Sequence, residues 1–256
     1  MTEIIVCICA GLLAGVGTGF AGLSAAVFIA PMLTTLLGVD SFSAVGVALA
    51  SDVLASAVSA LNYTRKGNTE LKKIIPLLAA VLAAAILGTA ASHLLTGFSL
   101  GEQVMSWWLL LAMLALGGKL LLFPAKSSGS APARVSRLLI MLLGGCYIGF
   151  VCGFQGTGGG LMLLFTLNIL LGMDFKKSVG SSVCIMSATA LIGALSHFSI
   201  RGMADTKQLL LCMLFTLFGA DIASIAANRM DQTLLKRLTG GLMTFTALGM
   251  LAIKLF

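Results

Sequence analysis

The chain has 256 residues, 59% of them hydrophobic and only 10% charged, with a mean hydropathy of +1.07. Soluble domains do not reach that balance, and a chain that does is a polytopic membrane protein whose partner is the lipid bilayer. The net charge of +7 excludes little by itself, but Lys and Arg fall in short clusters between apolar runs rather than on a basic face. That pattern suits cytoplasmic loops and argues against nucleic acid.

The first apolar run, residues 4–37, would extend about 51 Å as one helix, against a bilayer core of about 30 Å. Gly15, Gly17, Gly19 and Gly22 lie near its middle, so it is expected to break into two short spans or a re-entrant hairpin. Met1-Thr2-Glu3 lacks the positive start of a cleaved signal peptide, and the first helix is expected to remain. The run 42–63 follows, with Asp52 at its centre and Asn62-Tyr63-Thr64-Arg65-Lys66-Gly67 at its end. Runs 74–97 and 104–123 complete a first repeat, 1–123, and Trp107-Trp108 reads as an interfacial anchor. Pro124 to Pro132, rich in Pro, Gly and Ser, marks a linker over 124–137.

The second repeat, 138–256, opens with another over-long run, 138–173, which carries Gly153 and the cluster Gly156-Thr157-Gly158-Gly159-Gly160. Bilayer core tolerates such irregular backbone only where it is buried in protein or lines a cavity, which makes this cluster the first candidate for substrate contact. Runs 178–200, 207–227 with Asp221, and 238–256 follow. Cys7, Cys9, Cys146, Cys152, Cys184 and Cys212 all sit in apolar segments without C-x-x-C spacing and read as small buried hydrophobes, so no metal or cofactor is expected.

Residues 11–61 align without a gap on 145–195, pairing Gly11 with Gly145, Gly15 with Gly149, Gly19 with Gly153, Gly22 with Gly156, Gly38 with Gly172, Asp40 with Asp174 and Gly46 with Gly180. If both long runs fold back, three ordinary spans remain per half and the second half is inverted. The positive-inside rule then places Arg65, Lys66, Lys72, Lys73, Lys126, Arg134, Arg137, Lys176, Lys177, Arg229, Lys236 and Arg237 in the cytoplasm. Arg201, Lys207 and Lys254 fall outside, as do both termini. The fold class expected is therefore all-α: two homologous halves, inverted repeats, each a glycine-broken helix pair followed by three spans.

The motifs resemble those of the sulfite exporter TauE/SafE family, whose halves each begin with a pattern close to G-x-G-G-G-x-x-x-x-P followed by A-V-G-T-S. The second half reads Gly156-Thr157-Gly158-Gly159-Gly160, then Ser178-Val179-Gly180-Ser181-Ser182. The first reads Gly22-Leu23-Ser24-Ala25-Ala26 with Pro31, then Ala44-Val45-Gly46-Val47-Ala48. It lacks three glycines and both hydroxyls of the T-S pair, and the second half has Phe165 where the family often has proline. The resemblance implies transport of a sulfur-containing or small organic anion. Thr157, Ser181, Ser182 and the Gly158–Gly160 backbone are then expected to dominate substrate contact. Gly22 and Ser24 supply the first tip, and Gln155, Gly156 and Asn62 lie close by.

Broken helices meeting at the midplane aim free N–H groups at a ligand, and hydroxyls add neutral donors, which suits a compact oxyanion. The competing reading of the glycines is close helix packing. Asp52, costly at mid-span, either couples transport to protons or plays a structural part with a helix end or Lys119; Asp221 is a second coupling candidate. A channel built on the same tips is the nearest alternative. For an enzyme, His93 and His197 are the only histidines and neither neighbours a nucleophile motif, and the chain has no nucleotide-binding G-x-x-x-x-G-K-[ST] loop. A bacterial cytoplasmic membrane is the expected location.

Overall fold

A computed structural model describes residues 2–94, 99–122, 134–155, 159–201 and 205–255. They form ten helices: α1 (Thr2–Ala21), α2 (Ala26–Leu37), α3 (Ser41–Arg65), α4 (Leu71–Leu94), α5 (Ser99–Leu122), α6 (Arg134–Gln155), α7 (Gly160–Phe165), α8 (Phe175–Arg201), α9 (Thr206–Arg229) and α10 (Gln232–Leu255). A π-helical turn, Thr166–Leu170, prolongs α7. Six helices among the described residues are long and apolar enough to cross a membrane. Their outward faces carry Leu87 and Ile222, 66% and 67% exposed, a degree of apolar exposure that belongs in lipid. Of the expected linker, 134–137 is the first turn of α6 and the rest lies outside the described residues.

Both over-long runs break, and each yields unequal pieces. Helix α1 has 20 residues, about 30 Å, while α2 has 12, about 18 Å. Helix α6 has 22 residues, and its partner runs only from Gly160 to Leu170. Gly22, at φ +62°, turns the chain out of α1 so that the Leu23 N–H reaches back to the Gly17 carbonyl at 3.2 Å. The short helices end alike. Gly38 and Gly172, partners in the sequence repeat, both adopt φ +64°, and Val39 and Met173 each donate to a carbonyl six residues back. Asp40 then caps α3 by accepting from the Phe42 and Ser43 N–H groups.

The paired glycines become packing stripes. Gly11, Gly15 and Gly19 of α1 lie against Cys212–Thr216, Thr216–Ala220 and Ala220–Ser224 of α9. Gly145, Gly149 and Gly153 of α6 lie the same way along α4, against Leu77–Ala80, Val81–Ala84 and Ala85–Thr89. The first helix of each half thus runs alongside, and parallel to, the fourth helix of the other. A methyl built on Gly15 would stand 2.3 Å from the Thr216 carbonyl oxygen and one on Gly149 2.2 Å from that of Val81, so only glycine permits these approaches. For these positions the close-packing reading of the glycines is the right one. Helices α3 and α8 pack antiparallel at the centre, with Phe42 stacked on His197 at one end and Gly180 against Asn68 and Tyr63 at the other. Helix α5 lies antiparallel to α10, Gly117 meeting Thr244 and Leu121 meeting Gly240.

These contacts fix directions. Glu3 at the start of α1 reaches Lys207 and Gln208 at the start of α9, so the α1–α2 hairpin opens on the face where α3 and α9 begin. The α6–α7 pair opens on the other face, where α8 begins. That second face carries the basic clusters at Arg65-Lys66, Lys72-Lys73, Lys176-Lys177 and Arg229.

On this basic face the α3–α4 loop is tied to the bundle. Glu70 pairs with Lys177 at 2.9 Å and Lys73 at 2.8 Å, its N–H donates to the Ser181 Oγ at 3.1 Å, and Asn68 donates to the Asn228 Oδ1 at 2.6 Å. Partial burial raises the Glu70 pKa, but the two lysines outweigh it and hold the carboxyl below its ordinary value of 4.5. Its stabilising contribution is therefore complete above pH 4.5 and is lost as pH falls through the lower folded value. Glu70→Gln is expected to lower thermal stability in detergent at pH 7, by an amount on the order of 1 kcal/mol for a partly exposed pair. The gap from wild type should narrow as pH falls below 4.5 and through the lower folded value.

Candidate functional site

The two chain breaks meet. Gly22 and Gly160 touch backbone to backbone: a methyl built on Gly160 would lie 1.9 Å from the Gly22 carbonyl oxygen and 2.8 Å from the Met186 sulfur. A methyl on Gly22 would lie 2.6 Å from the Ser182 Oγ. Gly159, at φ +66°, turns the chain into α7, close to Cys152 and Ile148 of α6. Between the tips is a space of about 10 Å³, bordered by Leu23, Ser24, Val27, Met113, Gly159 and Gly160. That is room for roughly one water molecule, so the bundle is closed around the tips in this conformation.

Asp52 stands midway along α3, wholly buried, and faces the first break. Ser24 Oγ donates to its Oδ2 at 2.7 Å; Thr18 Oγ1 approaches Oδ1 at 3.5 Å but has a shorter bond, 2.8 Å, to the Leu23 carbonyl. A hydroxyl has one proton, so Ser24 is the principal partner. Asp52 thus sits by the start of α2, where helix-end N–H groups favour negative charge. Its contacts are with a helix end and not with Lys119, which is exposed on α5 and lines an outer crevice. The repeat-equivalent position is Met186, so the carboxylate belongs to one tip only.

Asp52 heads a polar stripe. Ser56, Ser59 and Tyr63 follow it on the same face of α3, all fully buried, toward the basic face. Tyr63 donates to the Gly19 carbonyl at 3.0 Å, and Ser59 Oγ is buried without a hydrogen-bond partner among the described residues. Asn62, one residue off this face, donates to Asp221 Oδ1 and Ser224 Oγ, both at 2.8 Å, joining α3 to α9. This cluster lies away from the tips, alongside the α1–α9 seam.

Of the residues singled out in the sequence, Gly22, Ser24, Gly159, Gly160, Ser182 and Asp52 come together at the tips. Ser181, its neighbour notwithstanding, points to the α3–α4 loop and accepts from Glu70. Gly156, Thr157 and Gly158 lie outside the described residues, as does the side chain of Gln155 at the end of α6. Thr18, Ser59, Tyr63, Ser224 and Met186 join the site or its polar stripe although the sequence motifs do not single them out. Heptad-like spacing from Asp52 through Ser56, Ser59 and Tyr63 was the available signal for the stripe, and reading the repeat register at position 186 would have exposed the asymmetry of the tips. Cys7, Cys152 and Cys212 are buried as expected, but Cys9 and Cys146 face outward. The described residues hold no cluster of His, Cys, Asp and Glu that could bind a metal ion.

The sequence is similar to a probable membrane transporter protein, YdhB, of Bacillus subtilis, 26% identical over 231 residues covering 88% of this chain and 90% of that one. It is also similar to a probable membrane transporter protein of Haemophilus influenzae, 25% identical over 234 residues covering 89% and 86%. No solved structure matches significantly. The sequence profile of the sulfite exporter TauE/SafE family matches residues 7–250, nearly the whole chain. An integral, multi-pass membrane transporter, this chain belongs to the sulfite exporter TauE/SafE family.

Proposed function

We propose that the protein is a secondary carrier that moves a small anion, of the sulfur oxyanion or organosulfonate class, across the bacterial cytoplasmic membrane by alternating access. The observation that carries this reading is the apposition of Gly22 and Gly160, two helix breaks from hairpins opening on opposite faces, beside a buried carboxylate. Such a pair of opposed hairpins fits inverted repeats, with the basic face cytoplasmic and both termini outside. The first tip already holds a carboxylate of its own, Asp52. The second has none, and its glycine backbone with Ser182 is the place for an exogenous anion. Held by dipoles and hydroxyls rather than by lysine or arginine, that anion can leave again.

Asp52 carries a proton during part of the cycle and couples it to anion movement. The stripe Ser56–Ser59–Tyr63 gives that proton polar stepping stones toward the basic face, with the unpartnered Ser59 hydroxyl available to a water. A membrane potential of about 100 mV, negative inside, favours exit of a monoanion by about 2.3 kcal/mol, so export runs downhill and import needs the proton.

Proteoliposomes loaded in turn with sulfite, sulfate, thiosulfate, a small sulfonate and a carboxylate test the substrate class. Saturable efflux of one sulfur anion is expected, lost in Gly159→Leu. Efflux of the carboxylate alone would move the class to organic acids, and currents far above carrier turnover would replace the carrier by a channel.

A further inference from the structure

A crevice of about 400 Å³ lies between α5, α6 and the α7–π segment, on the outside of the bundle. Its walls are apolar and open sideways: Tyr147 is 50% and Phe165 41% exposed, with Ala112 and Leu161 at the deep end. One cation enters it, Lys119, in the last turn of α5. Because α5 runs antiparallel to α10, that turn lies toward the basic face. Arg137 stands on the same side of α6 as the lining residues Gly144 and Ile148, about 10 Å nearer the basic face, and its Nε is buried without a hydrogen-bond partner among the described residues. Neither cation has an ion pair among the described residues.

An apolar slot facing lipid, with two unpaired cations at the end that meets the basic surface, is complementary to one kind of molecule. We propose that this crevice binds an anionic phospholipid of the cytoplasmic leaflet. One acyl chain lies along Phe165 and Tyr147, and the phosphate is held between Lys119 and Arg137. Basic pockets between spanning helices on the cytoplasmic side take anionic headgroups in this manner. The Arg137 Nε–H, which has no acceptor among the described residues, finds a phosphate oxygen. The site has a bearing on transport because Leu161 and Met162 line both this crevice and the space between the tips. An occupied crevice braces α7 from behind. The assignment of the basic face as cytoplasmic rests on the proposed topology; the binding itself does not.

The test is lipid retention by the purified full-length protein. Delipidated protein in detergent is titrated with phosphatidylglycerol, with phosphatidylethanolamine of the same chains, and with soluble glycerol phosphate, and bound lipid is counted by native mass spectrometry. One phosphatidylglycerol should bind in preference to phosphatidylethanolamine, and glycerol phosphate should not compete. Lys119→Gln and Arg137→Gln should each weaken phosphatidylglycerol about fivefold, and the pair about thirtyfold. Ala115→Trp, which fills the slot without touching charge, should abolish retention. Lys66→Gln, on the same face but outside the crevice, should change nothing. Equal binding of both lipids, or equal weakening by Lys66→Gln, overturns the proposal. So does glycerol phosphate competition, which would make the cations a free-phosphate site. Because the readout is binding, failure here leaves the carrier reading standing, and a failed efflux assay leaves this one standing.

Discussion

Gly160→Ala is expected to abolish transport and to lower the thermal stability of the purified protein by about 3 kcal/mol or more, although it adds one methyl group. The methyl would arrive 1.9 Å from the Gly22 carbonyl oxygen, and the obstacle is main chain on the opposing hairpin, which cannot rotate out of the way as a side chain can. Overpacking a core costs about 1–3 kcal/mol where side chains can yield. Here the two tips must part, and their apposition is the feature on which alternating access depends. Gly118→Ala is the control, since a methyl there meets nothing within 4 Å. The pair is measured by thermal unfolding in detergent and by efflux from proteoliposomes. If Gly160→Ala transports at the wild-type rate, the tips are not in contact in the working protein, and the site has to be sought elsewhere.

The same residues show what a sequence of this kind discloses. Glycine clusters in over-long apolar runs disclosed both chain breaks, because length against bilayer thickness is a one-dimensional constraint that needs no knowledge of neighbours. The paired glycines disclosed a repeat but not its use. Gly11, Gly15 and Gly19 recur as Gly145, Gly149 and Gly153, yet what each stripe touches is the fourth helix of the other half, and no local pattern says which distant helix will cover a groove. Asp52 was conspicuous by charge at mid-span, whereas its partner Ser24 and the choice between a helix end and Lys119 depended on how α2 folds back. Ser181 and Ser182 are neighbours in a motif, but a helix turns about 100° per residue, which sends one to the α3–α4 loop and the other to Gly22.

Replacing Asp52 should have the second large effect, and its two replacements should differ. Asp52→Ala removes the acceptor of the Ser24 hydroxyl in a site with no exposure, leaving a buried donor unmatched and the start of α2 without its carboxyl. A loss of about 1–3 kcal/mol in stability is expected, with transport reduced to background. Asp52→Asn keeps an oxygen in the same place, so Ser24 retains its bond and the tip its shape, but an amide carries no proton. Under the coupling proposal this variant folds like wild type and transports at a rate that no longer responds to pH across a series from 5 to 8, roughly the range over which a proton-coupled carrier is examined. Should Asp52→Asn keep the wild-type pH response, Asp52 is a helix cap and the proton is carried elsewhere or not at all. Ser24→Ala separates the two roles. If Asp52 acts only through its bond to Ser24, then Ser24→Ala and Asp52→Ala will each cost as much as the double variant. If the carboxyl also handles a proton, Ser24→Ala keeps a pH-dependent rate that every Asp52 variant has lost.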